Sequence, residues 1–449
     1  MRGIAGSMGK CGLVVAVAVA PAGAAGAAGA AGAAGAAGAA GAAGAAGVAE
    51  AAAVAVPAEA TAARPAKAGD VNGDGRVDVV AGLPLLKVKG KGDAGGVVVY
   101  SGGSAEVSGR ARIVTPAGPI TKGNLGQVLA SGDFDKDGYA DVLASARKKL
   151  VVFRGSPSGL RGQGAAVIPW PVTTPAMAAA DFDGDGYGDV AVTGSRQIVV
   201  LRGGRYGLRV DGRLTDGAPQ FGAALAAGDV NGDRLPDLVA TEHRVGVPDG
   251  VGPQRITVVP GSRSGLSLKR AWSITATERA ARGLAVGDLN GDHRADLVRI
   301  TSPDGQGAVF QVLVQLSQGN GFRPAQALRR SDGYPSNVGL GDVTGDGRAD
   351  LAVHIAADGD HDRAVLYAGT ATGVTAQPIR TYAHDTYETR YGTTLRLANV
   401  RGDSRADVIV GLPGVYGRGE LEILPAGERK GSQKLGLKTT GGLGLSQLP

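Results

Sequence analysis

Cysteine is nearly missing from this chain. Of 449 residues only Cys11 is one, and it lies in a stretch that reads as an export segment, so the mature protein has no thiol and no disulfide framework to staple it. Aromatic residues are scarce (6 Phe, 2 Trp, 10 Tyr), which counts against a nucleic-acid binder built on stacking platforms. Histidines number 5 and are scattered, leaving little material for paired acid–base catalysis. There is no long amphipathic helix pattern, and the one long apolar run, Gly12 to Ala20, is too short to cross a membrane.

What is abundant is glycine, 77 residues, and one repeated stretch. Asp70 opens D-V-N-G-D-G-R-V-D, and the pattern returns at Asp133, Asp181, Asp229, Asp288 and Asp342, with a degenerate seventh copy at Asn399. Spacings between copies run from 48 to 63 residues. Oxygen-bearing side chains stand at positions 1, 3, 5 and 9, Gly usually stands at 6, and a β-branched segment follows. This is how a short loop wraps a hard cation, with the carbonyl of position 7 added to the shell. The candidate ligands, in loop order, are Asp70, Asn72, Asp74, Arg76 and Asp78; Asp133, Asp135, Asp137, Tyr139 and Asp141; and Asp181, Asp183, Asp185, Tyr187 and Asp189. Then come Asp229, Asn231, Asp233, Leu235 and Asp237; Asp288, Asn290, Asp292, Arg294 and Asp296; and Asp342, Thr344, Asp346, Arg348 and Asp350. Arg76, Tyr139, Tyr187, Leu235, Arg294 and Arg348 would contribute their carbonyls only.

Without a cation, each pair of carboxylates at ~4 Å repels by roughly 4 kcal/mol at an effective dielectric of ~20. All-oxygen ligation with flexible geometry suits calcium better than magnesium or zinc, so up to six structural calcium sites are expected. An EF-hand is excluded, because position 12 is Ala81, Ala144, Val192, Ala240, Arg299 or Val353 rather than Glu, and a strand rather than a helix follows. The bland alternative is a set of Asx-rich turns. Position 6 is Arg234 in the fourth loop and His293 in the fifth, each costing about 1 kcal/mol if the backbone there is left-handed. In the seventh loop Arg401 takes position 3, and we expect its guanidinium to replace the metal by pairing with Asp403 and Asp407.

Residues 1–24 read as a signal peptide, with Arg2 and Lys10 ahead of the apolar run and small residues behind it. Residues 25–65 form a Gly/Ala-rich low-complexity linker expected to be disordered. Its G-A-A period has no proline to preset a collagen-like rod. From residue 66 to 449 each unit reads as strand, metal loop, strand, variable loop, strand, Gly turn, strand. The second tag recurs as VVVYSGG, LVVFRGS, IVVLRGG, ITVVPGS, QVLVQLS, AVLYAGT and LEILPAG. Four antiparallel strands repeated seven times make an all-β, seven-bladed β-propeller whose hairpin loops bind calcium. The outer strand of the last blade is either Gln433 to Thr439 or a segment ahead of Ala66.

These units resemble FG-GAP (VCBS) repeats, as found in integrin α-chain head domains and many bacterial exported proteins. The resemblance rests on the D-x-[DN]-x-D-G-x-x-D loops, on leading segments such as F-G-A-A-L-A-A-G-D at Phe221 to Asp229, and on G-L-P at Gly82 to Pro84 and Gly411 to Pro413. It implies a calcium-binding propeller used for extracellular recognition, without naming a ligand.

About half of the 41 acidic residues sit in the loops, so the remaining surface is strongly basic, with 47 Lys and Arg and a net charge of +6. Such a surface favours polyanions or an acidic cell envelope, although an Arg-rich solvated surface would look the same. Metal loops and Gly turns must share one rim of the ring, while the variable loops share the other. On that second rim Tyr382, His384, Tyr387, Arg390 and Tyr391 cluster and are candidates for ligand contact, unless the tyrosines merely pack between blades. The expected function is an exported binding or adhesion module, secreted or on a Gram-positive-like cell surface, monomeric and without a transmembrane anchor. Its ligand would be a glycan, a cell-envelope polymer or a protein. The alternative is a secreted polysaccharide lyase or hydrolase on the same rim. G-S-R-S-G at Gly261 to Gly265 puts Arg263 where a serine nucleophile would need to be.

Overall fold

The computed structural model describes residues 69–119, 121–172, 176–216, 221–242, 253–279, 283–301, 311–329, 333–356, 362–383, 394–412 and 420–436. The signal and linker segments read from the sequence lie outside these residues. Within them the chain folds as antiparallel sheets taken strictly in chain order. Blade 2 is built from Leu129–Gly132, Asp141–Ala146, Lys149–Arg154 and Arg161–Pro169. Blade 3 follows with Met177–Ala180, Asp189–Thr193, Ile198–Arg202 and Arg209–Leu214. Blades 4 to 7 repeat the plan, starting at Phe221–Gly228, Leu284–Gly287, Tyr334–Gly341 and Thr394–Ala398. Blade 1 shows three strands, Val79–Gly82, Val97–Tyr100 and Arg112–Val114. The place of its innermost strand is marked by the Asp78 N–H donating to the Gly69 carbonyl at 2.9 Å. The described residues contain no α-helix.

Strand position in the blade explains strand composition. Second and third strands are covered on both faces by neighbouring blades, so they are continuous β-branched runs such as VVAG and VVVY, buried throughout. Innermost strands converge on the axis and carry small residues, as in MAAA of Met177–Ala180. Outermost strands face water, and Arg161–Pro169 is exposed or half-buried along its whole length.

The core is divided into seven clusters, each lying between two adjacent blades. Each buried Val, Leu or Phe in them contributes about 1.5–3 kcal/mol. One cluster joins Val79, Val98 and Tyr100 of blade 1 to Val400, Ile409, Ile423 and Leu435 of blade 7, so the ring is closed. Closure does not exchange strands. Gln433–Gly436 pairs with Glu420–Leu424 as the outer strand of blade 7, and the Gln433 side chain then grips Val107 of blade 1 through both its backbone groups, at 3.0 and 2.6 Å. Of the two sources considered for that outer strand, the C-terminal one is found.

Candidate metal centres on one rim of the ring

Each acidic loop joins the first and second strands of its blade, and the turn between the third and fourth strands folds onto it. Position 9 makes that junction. Asp78, Asp141, Asp189, Asp237, Asp296, Asp350 and Asp407 are at most 2% exposed. In all seven, Oδ2 accepts from the N–H of position 2 at 2.8–3.3 Å. Oδ1 accepts from the first N–H of the turn, Gly102, Gly155, Gly203, Gly261, Ser317, Gly369 or Ala426, at 2.8–3.1 Å. This aspartate is therefore a clamp between two hairpins before it is anything else. A carboxylate keeps lone pairs beyond these two bonds, so the role is compatible with ligation.

Position 1 shapes the loop. Asp70 accepts from Gly73 and Asp74 through Oδ1 and from Gly75 through Oδ2, at 2.6–3.2 Å. Asp229, Asp288 and Asp342 make the same three bonds. Position 5 accepts from the N–H of position 7 in every loop, at 2.9–3.2 Å. The turn forces a left-handed backbone at position 6, including Arg234 (φ 72°) and His293 (φ 64°). Position 4 is left-handed too, a requirement the sequence pattern D-x-N-G-D-G carries but which its reading overlooked. There a Cβ on Gly73, Gly184, Gly232 or Gly345 would meet the position 7 side chain of the next blade, Tyr139, Leu235, Arg294 or Arg405, within 3.0 Å.

Neighbouring loops are laced together. The position 8 N–H of one blade donates to the position 1 carbonyl of the blade before it: Ala140 to Asp70, Gly188 to Asp133, Ala295 to Asp229, Ala349 to Asp288 and Ala406 to Asp342, at 2.6–2.7 Å. Pro236 holds that position in blade 4 and has no N–H to give. The turn adds a second link, Ser156 to Val71, Gly204 to Phe134 and Ser262 to Phe182, and Gly103 to Val400 repeats it across the closing seam at 3.3 Å.

Position 3 distinguishes the loops. In blades 2 and 3 it is a fourth carboxylate, and the oxygens of Asp133, Asp135 and Asp137, or of Asp181, Asp183 and Asp185, come within 4.8 Å of one another. Asp135 Oδ1 is buried without a hydrogen-bond donor, while Asp183 Oδ2, equally buried, has only the Arg202 guanidinium against it. Buried carboxylate oxygens converging with two more carboxylates are a donor set a hard dication fits. These same two blades place an arginine at the end of the third strand. Arg154 pairs with Asp135 at 2.7 Å, and Arg202 pairs with Asp183 and with Asp185. The signal for these counter-ions was an Arg-Gly pair which, at the end of the third strand, is found only in the blades whose loops carry the extra acid.

In loops 1, 4 and 5 the amide of Asn72, Asn231 or Asn290 stands at position 3. Asn231 Nδ2 reaches Asp233 at 3.0 Å and Asp237 at 3.4 Å, bridging the carboxylates as a cation would. Flipping the amide would turn its oxygen inward. Thr344 does the corresponding work in loop 6, its hydroxyl 3.4 Å from Asp350. In loop 7 the expected substitution is found: Arg401 Nε donates to Asp407 and its terminal nitrogen pairs with Asp403, both at 2.9 Å.

Burial raises the position 9 pKa values despite the backbone donors that oppose it: Asp141 to about 8, Asp189 and Asp296 to about 7, Asp78 and Asp237 to about 6. The unfolded carboxylate ionises near 3.9. Between roughly pH 4 and pH 6–8 the folded, metal-free protein therefore binds more protons than the unfolded chain, and its stability falls as pH rises through that window. A bound dication reverses the preference by favouring the ionised form. The melting gap between calcium-loaded and metal-free protein is expected to be small at pH 5.5 and large at pH 8. Differential scanning calorimetry at both values checks this, and a gap independent of pH would contradict it.

On the opposite rim, the connection from Leu83 to Gly95 is folded inward on Leu86, Val88 and Ala94, leaving Lys87, Lys89 and Lys91 exposed. His384, Tyr387, Arg390 and Tyr391 lie outside the described residues. Tyr382 does not belong to an open ligand face. It is 2% exposed in the core between blades 6 and 7 and donates its hydroxyl to the Gly427 carbonyl at 2.6 Å. Strand alternation turns it inward, a choice the aromatic clustering alone did not decide.

A Ser336–His354–Asp362 row in blade 6, with contacts of 2.5 and 3.6 Å, has the composition of a catalytic triad. Its position argues for a structural role. The residue four beyond the clamp aspartate also holds the inner strand in blades 2 and 4, where Ser145 accepts from Val128 and Thr241 from Ala224.

A family model described as FG-GAP-like repeat matches residues 70–144, 133–192 and 229–299. The chain thus carries FG-GAP-like repeats. Human (Homo sapiens) integrin alpha-IIb is 31% identical over 118 residues, 23% of this chain and 11% of that protein. Mouse (Mus musculus) integrin alpha-8 is 30% identical over 111 residues, 22% of this chain and 10% of that protein. The match spans about a tenth of these relatives' length. Among solved structures, the Dos1 propeller is 8% identical with a TM-score of 0.45, covering 73% of this chain and 77% of that one. BBS1N in complex with ARL6DN is 12% identical with a TM-score of 0.43, covering 66% and 78%.

Proposed function

We propose that this chain, a closed seven-bladed ring carrying FG-GAP-like repeats, is an exported binding or adhesion module that calcium stabilises and that acts outside the cell. The observation that carries the reading is the pair of three-carboxylate centres in blades 2 and 3, each with a buried position 3 oxygen, that of Asp135 lacking any donor. Dications there and in up to four sister loops would make one rim a rigid base. The other rim then presents connections of uneven length, which is where a fixed scaffold places recognition. The exposed lysines of the Leu83 to Gly95 connection give that rim a positive character at blade 1, suited to an acidic glycan or cell-envelope polymer. A protein ligand would meet the same loops. Two of the curated proteins it resembles are integrin alpha chains, which agrees with an extracellular role. No helix among the described residues is long and apolar enough to cross a membrane.

Binding to an array of cell-wall polymers and acidic glycans tests the reading. Retention of calcium-loaded protein is expected, without release of product. Lys87→Ala/Lys89→Ala/Lys91→Ala should weaken retention at least about tenfold, the equivalent of about 1.4 kcal/mol. Retention unaffected by the triple substitution would remove this rim from the account. Release of shortened or unsaturated sugar would replace binding by catalysis.

A further inference from the structure

The innermost strands enclose a cavity of about 430 Å3 on the axis of the ring. At the level three residues before each acidic loop, blades 2 to 6 contribute Ala130, Ala178, Ala226, Ala285 and Gly339, all lining the cavity. Blade 7 contributes Arg396 at the same level. The corresponding residue of blade 1, Lys67, lies outside the described residues. Four alanines and a glycine thus clear a space into which one guanidinium enters.

That guanidinium has almost nothing to do there. Among the described residues its single hydrogen bond runs from one terminal nitrogen to the Leu395 carbonyl at 2.8 Å. Among the described residues no carboxylate lies within ion-pair reach of it. Among the described residues Asp342 is the one acid lining the cavity, and its oxygens are taken by the N–H groups of Gly345, Asp346 and Gly347. Burial disfavours the charged guanidinium and lowers its pKa. A second group on the wall is also unsatisfied: Ser131 Oγ is buried and has no partner. A side chain serving only to plug the channel could be Met or Leu. An arginine brings five donors in a planar fork, and the protein uses one of them.

We propose that the axial channel binds a small oxyanion of carboxylate or sulfate type, held by the Arg396 fork with the Ser131 hydroxyl as a further donor on the wall. Planar forks match such anions through paired N–H···O bonds, and an anion supplies the counter-charge that no described side chain provides. The Ala130, Ala178, Ala226, Ala285 and Gly339 belt sets the size limit. The inference goes beyond the binding role of the outer rim and does not depend on it.

The test uses the full chain loaded with calcium. Its melting midpoint is followed against sodium acetate at constant ionic strength, and crystals are soaked in selenate. The wild-type midpoint is expected to rise by several degrees and saturate. Arg396→Met should show no saturable rise, while melting at or above the wild type without acetate, because an unpaired half-buried charge has gone. Arg396→Lys, which keeps the charge and loses the fork, should show a reduced rise and guards against misfolding of the first variant. Selenium should appear within hydrogen-bonding distance of the Arg396 guanidinium. An unsaturable rise common to all three proteins, no rise in any, or a channel without selenium would each overturn the proposal.

Discussion

Asp141→Ala is expected to cost about 4 kcal/mol of stability even without calcium, and more with it, since two buried N–H groups lose their acceptor at about 1–3 kcal/mol each. The groups are Phe134, at the start of the blade 2 loop, and Gly155, in the turn above it. Their bonds join two hairpins across the rim, and a shortened side chain takes the acceptor away from both. The informative comparison is Asp407→Ala in blade 7. Arg401 stands at position 3 there and pairs with Asp407 and Asp403, so no dication is expected. The clamp itself is intact, with Val400 and Ala426 donating. Asp407→Ala should therefore lose a similar amount, plus the cost of stranding Arg401. Urea unfolding in calcium and in EGTA reads both variants. If Asp141→Ala is costly only in calcium and Asp407→Ala is neutral, position 9 is a ligand and not a clamp.

The repeat was legible in the sequence because it imposes the same spacing on every copy. Its blade count, strand order and division into two rims follow from loops that recur in register with a β-branched run. Arg401 was legible as well, since a guanidinium among carboxylates has one sensible use. Other features depend on which blade lies next to which. Gly73 is needed because Tyr139 of the following blade covers it, a contact with no local trace in the sequence of blade 1. The lacing bonds, and the gap Pro236 makes in them, are backbone contacts between residues 55 to 70 positions apart and have no side-chain signature. Arg154 and Arg202 were visible in principle, as charges that balance the fourth acid of their own blades. Tyr382 was misplaced because composition marks a cluster without telling which members alternate inward on a strand. Arg396 went unnoticed for the same reason: it reads as one more basic residue until six inner strands place it beside five small ones.

The account rests on dications holding the acidic rim together, and calcium removal tests that most directly. A site filled at a thousandfold excess of calcium over its Kd adds about 4 kcal/mol, and the loops of blades 2 and 3 alone would double this. Calorimetric melting of calcium-loaded protein at pH 8 should give a midpoint on the order of 10 °C above that of protein stripped with EGTA, restored by added calcium, since about 1 kcal/mol moves the midpoint of a folded domain by a few degrees or less at this size. Midpoints that coincide in calcium and in EGTA would leave the rim as a set of Asx turns held by hydrogen bonds alone, and would contradict the account.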